Sequence, residues 1–273
     1  MTRMIDPEEL TQLGQPICPE GPLIARAFGE TANPDEYIPR PACEEALAEL
    51  ERTVLEQEEP CALIAPPGMG KSLLLRVFAK RCVDRIETVE LAYGAMPFDD
   101  LCEWTLRLLG EEVSEEPVRD LEGVLKSRDL LLTIDDASSL PPDTTGALAQ
   151  LVQRSAPRLR VVLVAAEGYA ASRMLAAFGA SCHSVRLTTP MSEAEARSYL
   201  ARRLDRYGAT PKTLDNLRPG SVTRLLRLSG GIPRRIHAVA QQVLVEIPES
   251  VNEEWREESW LGAPLDELSL DEG

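Results

Sequence analysis

One short run, APPGMGKS at residues 65–72, constrains the fold of this chain more than any other part of the sequence. It follows the apolar run CALIA at 61–65 and precedes SLLLRVFAKRCV, which predicts a helix. Glycines let such a loop turn its backbone N–H groups inward around phosphates, and the next helix presents its N-terminus to the same anion. The sequence therefore predicts a P-loop between a buried strand and a helix.

The position of each residue in this loop assigns its expected role. Lys71 would supply a point charge to the β- and γ-phosphates of ATP, and Ser72 would supply a hydroxyl to Mg²⁺. The alternative, a Gly-Pro turn with an exposed lysine, is disfavoured by the strand and helix on either side. The residues predicted to bind the nucleotide here are Pro67, Gly68, Met69, Gly70, Lys71, Ser72 and Leu73.

A second apolar run, LLLTI at 130–134, ends in two acids, Asp135 and Asp136. Open α/β sheets bind ligands at the carboxyl ends of their strands, which is where these side chains would lie. Asp135 is expected to hold Mg²⁺ through water, and Asp136 to polarise the attacking water. A capping pair at the start of a loop is the alternative. The P-loop upstream favours the catalytic interpretation.

Strands and helices are predicted to alternate over residues 41–190, after an irregular segment at 1–40. The central strands are apolar on both faces, which is typical of a parallel sheet covered by helices on both sides. The fold class predicted is therefore α/β, with a P-loop NTPase core. The predicted strands are 61–65, 86–92, 129–134, 160–165 and 184–188.

Only helices are predicted after Pro190, at 192–207, 221–229 and 233–246. This change predicts a small all-helical lid domain at 191–247. Residues 248–273 are acidic, with few apolar residues and no clear period, and predict a mobile tail. Because Trp255 and Trp260 lie among the acids, the tail could dock on a protein, fold back on the lid, or only aid solubility.

Charge and cysteine usage exclude several classes of protein. The net charge of -16 disfavours nucleic acid and anionic membranes as average partners. No run approaches the roughly 18 apolar residues of a membrane span, and no secretory signal is evident, so a cytoplasmic location is expected. Six cysteines without a CxxC pair, and two separate histidines, do not predict a zinc site.

With these motifs in place, the chain resembles an AAA+ ATPase. It is most similar to the ExeA/GspA group of bacterial ATPases, which accompany secretion and pilus systems. The resemblance covers about residues 28–246. The matching runs are NPDEYIPRPACEEALAELE, APPGMGKSLLLR, LTIDDA, LRVVLVAAEG and SGGIPRRIHAVAQQ, of which GGIPR is the most specific.

The resemblance implies further site residues. Tyr37 and Ile38 would lie near the adenine. Arg234 would be the sensor-2 arginine, which reaches from the lid to the γ-phosphate, with Arg235 as a neighbour that could replace it. Arg173 would be an arginine finger that acts on the next subunit, which implies self-assembly on ATP binding.

Two departures from the family pattern affect the expected rate of hydrolysis. Asp136 replaces the usual glutamate, which is one methylene longer. Ala165 and Ala166 stand where sensor 1 has a polar residue, and Glu167 is the nearest polar group. We therefore predict a regulatory ATPase that switches partner contacts by slow hydrolysis, with a secretion or pilus system as the setting that the resemblance implies. A nucleotide-gated scaffold with little hydrolysis is the alternative that these departures favour.

The predicted lid is basic although the chain is acidic. A solvated helix surface is one interpretation, and a binding surface for DNA or an acidic protein is the other. The second would suit an ATP-dependent DNA-binding regulator of the transposition AAA+ type. The basic residues are Arg197, Arg202, Arg203, Arg206, Lys212, Arg218, Arg224, Arg227, Arg234 and Arg235.

Overall fold

The structure is a computed structural model that describes residues 21–29, 32–210 and 219–245. The predicted tail at 248–273 lies outside these residues. The strands within them are β1 Cys61–Ala65, β2 Glu87–Leu91, β3 Leu130–Ile134, β4 Leu159–Ala166 and β5 His183–Arg186. The α-helices are α1 Gly21–Ala27, α2 Pro41–Glu51, α3 Lys71–Cys82, α4 Phe98–Leu108, α5 Pro117–Val124, α6 Pro142–Ser155, α7 Tyr169–Phe178, α8 Glu193–Arg206, α9 Pro219–Ser229 and α10 Pro233–Val245. A π-helical turn, Arg52–Glu56, extends α2.

The strands form one parallel sheet in the order β2-β3-β4-β1-β5. All residues of β1 and β3 are buried, which explains why their sequences show no alternation. Because every strand runs the same way, the loops after β1 and β3 leave from the same edge. The P-loop and the acid pair therefore emerge at one edge, with β4 between them.

Helices cover both faces of the sheet, as predicted. Side chains such as Leu63 face α2 and α3, where Phe78 of α3 is fully buried. Side chains such as Ile64 face the other cluster, which α4, α5, α6 and α7 complete. Successive residues of β1 thus serve opposite layers, as the period of a strand requires. This packing holds the ends of β1 and β3 in fixed positions.

The helices α1, α8, α9 and α10 pack around a separate apolar cluster, and we call this unit the helical module. The helices predicted after Pro190 are present as α8, α9 and α10. The irregular structure predicted for residues 1–40 is wrong at Gly21–Ala27, because this helix contributes Ile24 and Ala27 to the module's core. Residues 1–20 lie outside the described part of the chain.

Two segments connect the module to the sheet domain: the N-terminal strap at 32–40 and the linker at 187–192. Asp35 of the strap pairs with Lys80 on α3, while its carbonyl accepts a 3.1 Å hydrogen bond from Arg206 of the module. In the linker, the Met191 N–H donates to the Gly231 carbonyl at 2.9 Å. The strap and the linker therefore each bind both units.

Gly231 is a point of close contact between the module and the linker. Its φ is +72°, and a Cβ there would lie 2.8 Å from the Met191 carbonyl oxygen and 2.9 Å from Pro190 Cβ. We expect Gly231→Ala to lower the free energy of unfolding by about 2–4 kcal/mol, through backbone strain and overpacking together. Urea unfolding measures this loss.

Gly230→Ala is the matched control, because Gly230 has a φ of +62° but no atom within 4 Å of the position that a Cβ would take. This variant should lower the free energy of unfolding by about 1–2 kcal/mol, which is the cost of a left-handed backbone conformation for a residue with a Cβ. Equal losses in the two variants would contradict the steric role of Gly231.

Candidate nucleotide-binding site

The P-loop has the conformation that its glycines make possible. Gly68 and Gly70 have φ values of +80° and +93°, a region that other residues adopt only with strain. Met69 between them is 2% exposed and packs with α2 and α3, which anchors the loop. Its predicted nucleotide contact is therefore limited to its backbone. Leu73 is partly buried against the same cluster, whereas Pro67 is exposed.

Lys71 lies at the mouth of the loop, where its ammonium donates to the Ala65 carbonyl at 2.9 Å and to the Pro66 carbonyl at 3.0 Å. Burial lowers the pKa of Lys71, with Arg234 acting in the same direction, while Asp135 and Asp136 oppose the shift. The charges of Asp135, Asp136 and Arg234 therefore all act on the Lys71 ammonium. Phosphate oxygens can replace the two carbonyls as its partners.

Asp135 and Asp136 are arranged differently although they are adjacent. Asp135 is half-buried, and one of its carboxylate oxygens accepts a 2.9 Å hydrogen bond from the Asp136 N–H. Asp136 is exposed and left-handed, with φ 46° and ψ 42°, a conformation that aspartate tolerates better than most residues. The two carboxylates at the end of β3 therefore differ in exposure and in hydrogen-bond partners.

Ser72 and Asp135 line the same cavity, of about 530 Å³, between α3 and β2. A hydroxyl and a carboxylate are hard oxygen donors that suit Mg²⁺, which keeps several of its waters in sites of this kind. One carboxylate oxygen of Asp135 is engaged by the Asp136 N–H, so the other is available to a ligand. These residues fit the predicted Mg²⁺ site. Within the described residues, no cluster of three or more His, Cys, Asp and Glu side chains offers another metal site.

Gly94 and Ser138 belong to this site but were not predicted. The Ser138 hydroxyl donates to Asp136 Oδ1 at 3.1 Å, and Ser139 donates to the Asp136 carbonyl at 2.7 Å. A Cβ on Gly94 would lie 2.9 Å from the same carbonyl oxygen, so only glycine fits there. The DDASS run could have suggested the serine contacts. The Gly94 contact depends on the pairing of β2 with β3 and has no local signal.

Removal of the Ser138 hydroxyl should affect turnover and not binding. We expect Ser138→Ala to lower kcat about threefold to tenfold, because the Asp136 carboxylate then loses the hydrogen bond that orients it. ATP affinity should stay within about twofold. A coupled ATPase assay and a fluorescent-nucleotide titration measure the two quantities. The control is Ser127→Ala, an exposed serine that caps its own turn; an equal fall of kcat there would contradict the role of Ser138.

Arg234 lies in the first turn of α10 of the module and directly on the P-loop. Its backbone N–H donates to the Gly68 carbonyl at 3.1 Å, and a Cβ on Gly68 would lie 3.1 Å from Arg234 Cβ and from Ile232 Cγ2. Glycine at position 68 therefore makes this approach of the module possible. The Arg235 side chain is exposed next to it.

Tyr37 and Ile38 follow the strap's 3₁₀ turn and precede α2. The Tyr37 hydroxyl donates to Glu44 Oε1 at 2.8 Å, and burial, together with this hydrogen bond, raises the Tyr37 pKa well above its usual range. The hydroxyl is thus committed within the chain, and Ile38 is 5% exposed. Their contact with adenine stays a prediction.

Arg173 lies apart from the P-loop, on α7. It borders a second cavity of about 320 Å³, whose other walls include Ala137, Ser138 and Met174. Its role as an arginine finger stays a prediction.

The position expected for sensor 1 lies at the end of β4. Ala165 is buried there, and the Glu167 carboxylate pairs with Arg186 at 3.1 Å. Glu167, the nearest polar group, is therefore already engaged by a residue of β5.

Five parallel strands in this order, with helices on both faces and a P-loop after β1, define a P-loop NTPase core of the AAA+ type. Residues 52–174 match the model of the family described as AAA domain, a match that includes the P-loop and both acids but less than half of the chain. The match and the site together support an AAA+ P-loop ATPase. No curated protein matches the chain.

Similar solved structures include Drosophila ORC bound to DNA, at 16% identity and a TM-score of 0.51, over 74% of this chain and 64% of that one. The Thermotoga maritima RuvB Holliday junction branch migration motor has 15% identity and a TM-score of 0.47, over 79% of this chain and 65% of that one. A single-residue variant of RuvB from the same organism has 15% identity, a TM-score of 0.46 and the same coverage. Likeness at these identities concerns the fold alone. The chain spans slightly less than two thirds of the length of these structures.

Proposed function

We propose that this chain is a regulatory AAA+ ATPase that binds ATP and Mg²⁺, hydrolyses ATP slowly in an assembled state, and thereby switches its contacts with a protein partner. The observation that carries the proposal is geometric: Ser72 of the P-loop and Asp135 line one cavity, and the module brings Arg234 onto the same loop through its hydrogen bond to Gly68. The cytoplasm is the location expected from the sequence. None of the described helices combines the length and apolarity that a membrane crossing requires.

The residues of the site divide the work of binding and hydrolysis among them. Lys71 exchanges its two carbonyl partners for phosphate oxygens. Ser72 would hold Mg²⁺ directly and Asp135 through water, and the ion would supply positive charge that neutralises the phosphates. Asp136, oriented by Ser138, accepts a hydrogen bond from the attacking water. Arg234 supplies positive charge from the module.

Slow hydrolysis is supported by two features of the chain. Aspartate at position 136 is one methylene shorter than the glutamate of related enzymes, and a misplacement of about 1 Å can cost about a hundredfold in rate. The position expected for sensor 1 offers Ala165 and Ala166, and Glu167 next to them pairs with Arg186. If the rate of hydrolysis is close to zero, the chain is a nucleotide-gated scaffold. Stoichiometric binding of ATP without turnover would identify that function.

Dependence on assembly is supported by Arg173. Its guanidinium is exposed and forms no ion pair or hydrogen bond with the described residues, so a neighbouring subunit's nucleotide is its proposed target. The test is ATPase activity per subunit against protein concentration. We expect a rise for the native chain and a low constant value for Arg173→Ala. A constant value in both would contradict activation by assembly.

The partner is proposed from the resemblance to the ExeA/GspA group, whose members accompany secretion and pilus systems. The test is capture of partners from the native cell extract by the tagged chain, with ATP and with ADP. Recovery of a secretion or pilus component only with ATP would support both the partner class and the switch. Equal recovery with both nucleotides would contradict the switch.

DNA is the alternative partner, and exposed arginines of the module favour it. Arg202, Arg227 and Arg235 are exposed and form no ion pair with described residues, whereas Arg203 and Arg206 are engaged with the strap. If these three arginines contact phosphates, the logarithm of the DNA-binding constant should fall with the logarithm of the salt concentration, with a slope of about three. Retention of a DNA duplex that shows this slope, and loses it in the triple Ala variant, would support the DNA-regulator function.

A further inference from the structure

Arg40, at the junction of the strap and α2, is only 4% exposed. Its Nη2 donates to the Thr189 carbonyl of the linker at 3.2 Å, but its Nε and Nη1 are buried and form no hydrogen bond with the described residues. A guanidinium stays charged, so these buried donors keep their full demand for an acceptor. In this arrangement Nε and Nη1 therefore have no hydrogen-bond acceptor among the described residues.

The missing partner lies opposite, on the module. Glu195 Oε1 is 4.0 Å from Arg40 Nε, about 1 Å beyond hydrogen-bond distance. The other oxygen, Oε2, accepts from the Ser192 N–H at 2.9 Å and the Ser192 hydroxyl at 2.8 Å, so it belongs to the cap of α8. Arg40 thus has two donors without an acceptor, and Glu195 Oε1 of the module is not used by the cap of α8. A movement of about 1 Å would bring this oxygen within hydrogen-bond distance of Arg40 Nε.

Such a movement reaches the nucleotide site through direct contacts. Arg40 holds Thr189 of the linker, and the linker holds the module where Met191 donates to Gly231. The same loop carries Ile232, and then Arg234, onto Gly68 of the P-loop. A change in the angle of α8 at Glu195 therefore changes where Arg234 lies relative to the P-loop.

We propose that Arg40 is a positioning residue for ATP hydrolysis, which draws Glu195 into a hydrogen-bonded ion pair when the nucleotide is bound and thereby sets Arg234 at its working position. The proposal rests on the proposed function. The open arrangement is the one described here, in which Thr189 is the one acceptor of Arg40 among the described residues. The closed arrangement satisfies Nε or Nη1 through Glu195 Oε1.

Arg203 shows how a buried arginine with a purely structural role differs. It is 2% exposed, yet its Nε donates to the Ala27 carbonyl and its Nη2 to Glu36 Oε2 at 3.3 Å. No nitrogen of Arg203 is among the buried groups without a partner in the described part of the chain. Of the two buried arginines in the described part of the chain, Arg40 is the one with side-chain donors that lack a hydrogen bond.

Kinetics of Arg40→Met and Glu195→Gln test the proposal. We expect each to lower kcat about tenfold or more, with the dissociation constant of ATP within about threefold, and the double variant to be no slower than Arg40→Met. Arg40→Lys should restore part of kcat, because a lysine can reach the carboxylate with one donor. Additive losses in the double variant would overturn the pairing.

Arg160→Met is the matched control, since Arg160 is a half-buried arginine that pairs with Glu58 at 2.7 Å, at the opposite ends of the strands from the P-loop. It should lower the melting temperature and leave kcat unchanged. If Arg40→Met does not fold, Glu195→Gln decides alone, because the amide side chain keeps an oxygen for the cap of α8. A full kcat in folded Glu195→Gln would overturn the proposal.

A distance measurement separates this proposal from the proposed function. Spin labels on unnatural residues at Tyr169 and Leu228, which are 84% and 50% exposed, report the position of the module against the sheet domain. We expect a non-hydrolysable ATP analogue with Mg²⁺ to shift the distance in the native chain and not in Arg40→Met. If the analogue binds without a shift, the positioning role fails. If it does not bind at all, the proposed function itself fails.

Discussion

Replacement of Lys71 by alanine is expected to weaken ATP binding at least about a hundredfold while the chain stays folded. Among the described residues the ammonium bonds to the Ala65 and Pro66 carbonyls alone, at the mouth of the loop, so its loss removes no part of the core. A charged hydrogen bond to phosphate is worth roughly 1.5–3 kcal/mol, and the Coulomb attraction to further phosphate charges adds to it. Titration with a fluorescent ATP analogue measures the affinity, and circular dichroism reports the fold.

Lys126→Ala is the control for this experiment. Lys126 is an exposed lysine that follows the end of α5, and it borders an open cavity separate from the P-loop. Its loss should change neither affinity nor fold. Unchanged affinity in folded Lys71→Ala would remove the basis for the P-loop assignment.

Asp136→Asn should lower turnover about a hundredfold or more and leave ATP affinity within about threefold. The amide accepts a hydrogen bond but is a far weaker base than a carboxylate, so the attacking water loses its polarising partner. Asparagine also tolerates the left-handed backbone at this position, so the turn should persist. Single-turnover hydrolysis and equilibrium binding measure the two effects separately.

Asp136→Glu tests whether the short side chain limits the rate. The added methylene should preserve or raise turnover if reach is the limit. Equal turnover in Asp136→Asn and the native chain would show that another group positions the water. Glu167 would be the next candidate, and Arg186→Ala, which frees its carboxylate, would then raise turnover.

The sheet and the P-loop were predictable because their signals are local. The run CALIA is β1 without a shift, and the predicted strand at 86–92 is Glu87–Leu91 in the structure. The apolar runs end at turn residues that fix where each strand stops. All neighbouring strands are parallel, which confirms the predicted fold class. Parallel neighbours need helical crossovers, and the sequence shows these as well.

The contacts that complete the site were not predictable in the same way. Gly94 approaches Asp136 only because β2 and β3 pair in register, and Arg40 meets Glu195 only because the chain returns to its beginning after β5. Arg203, one of the basic residues of the predicted lid, is buried as a structural donor and is not part of the lid's surface. In all three cases the residues in contact are far apart in the sequence, so no local pattern predicts the contact.

The N-terminal helix has a consequence for how the chain acquires its structure during synthesis. Ile24 of α1 packs in the module's core with Ile236 of α10, from near the other end of the chain. Contacts of such separation form late, since the intervening chain must first be ordered. Because α1 leaves the ribosome before the sheet domain, and α8, α9 and α10 leave after it, the sheet domain can fold while the apolar face of α1 still lacks its partners. The module can therefore be completed only after the whole sheet domain has been synthesised.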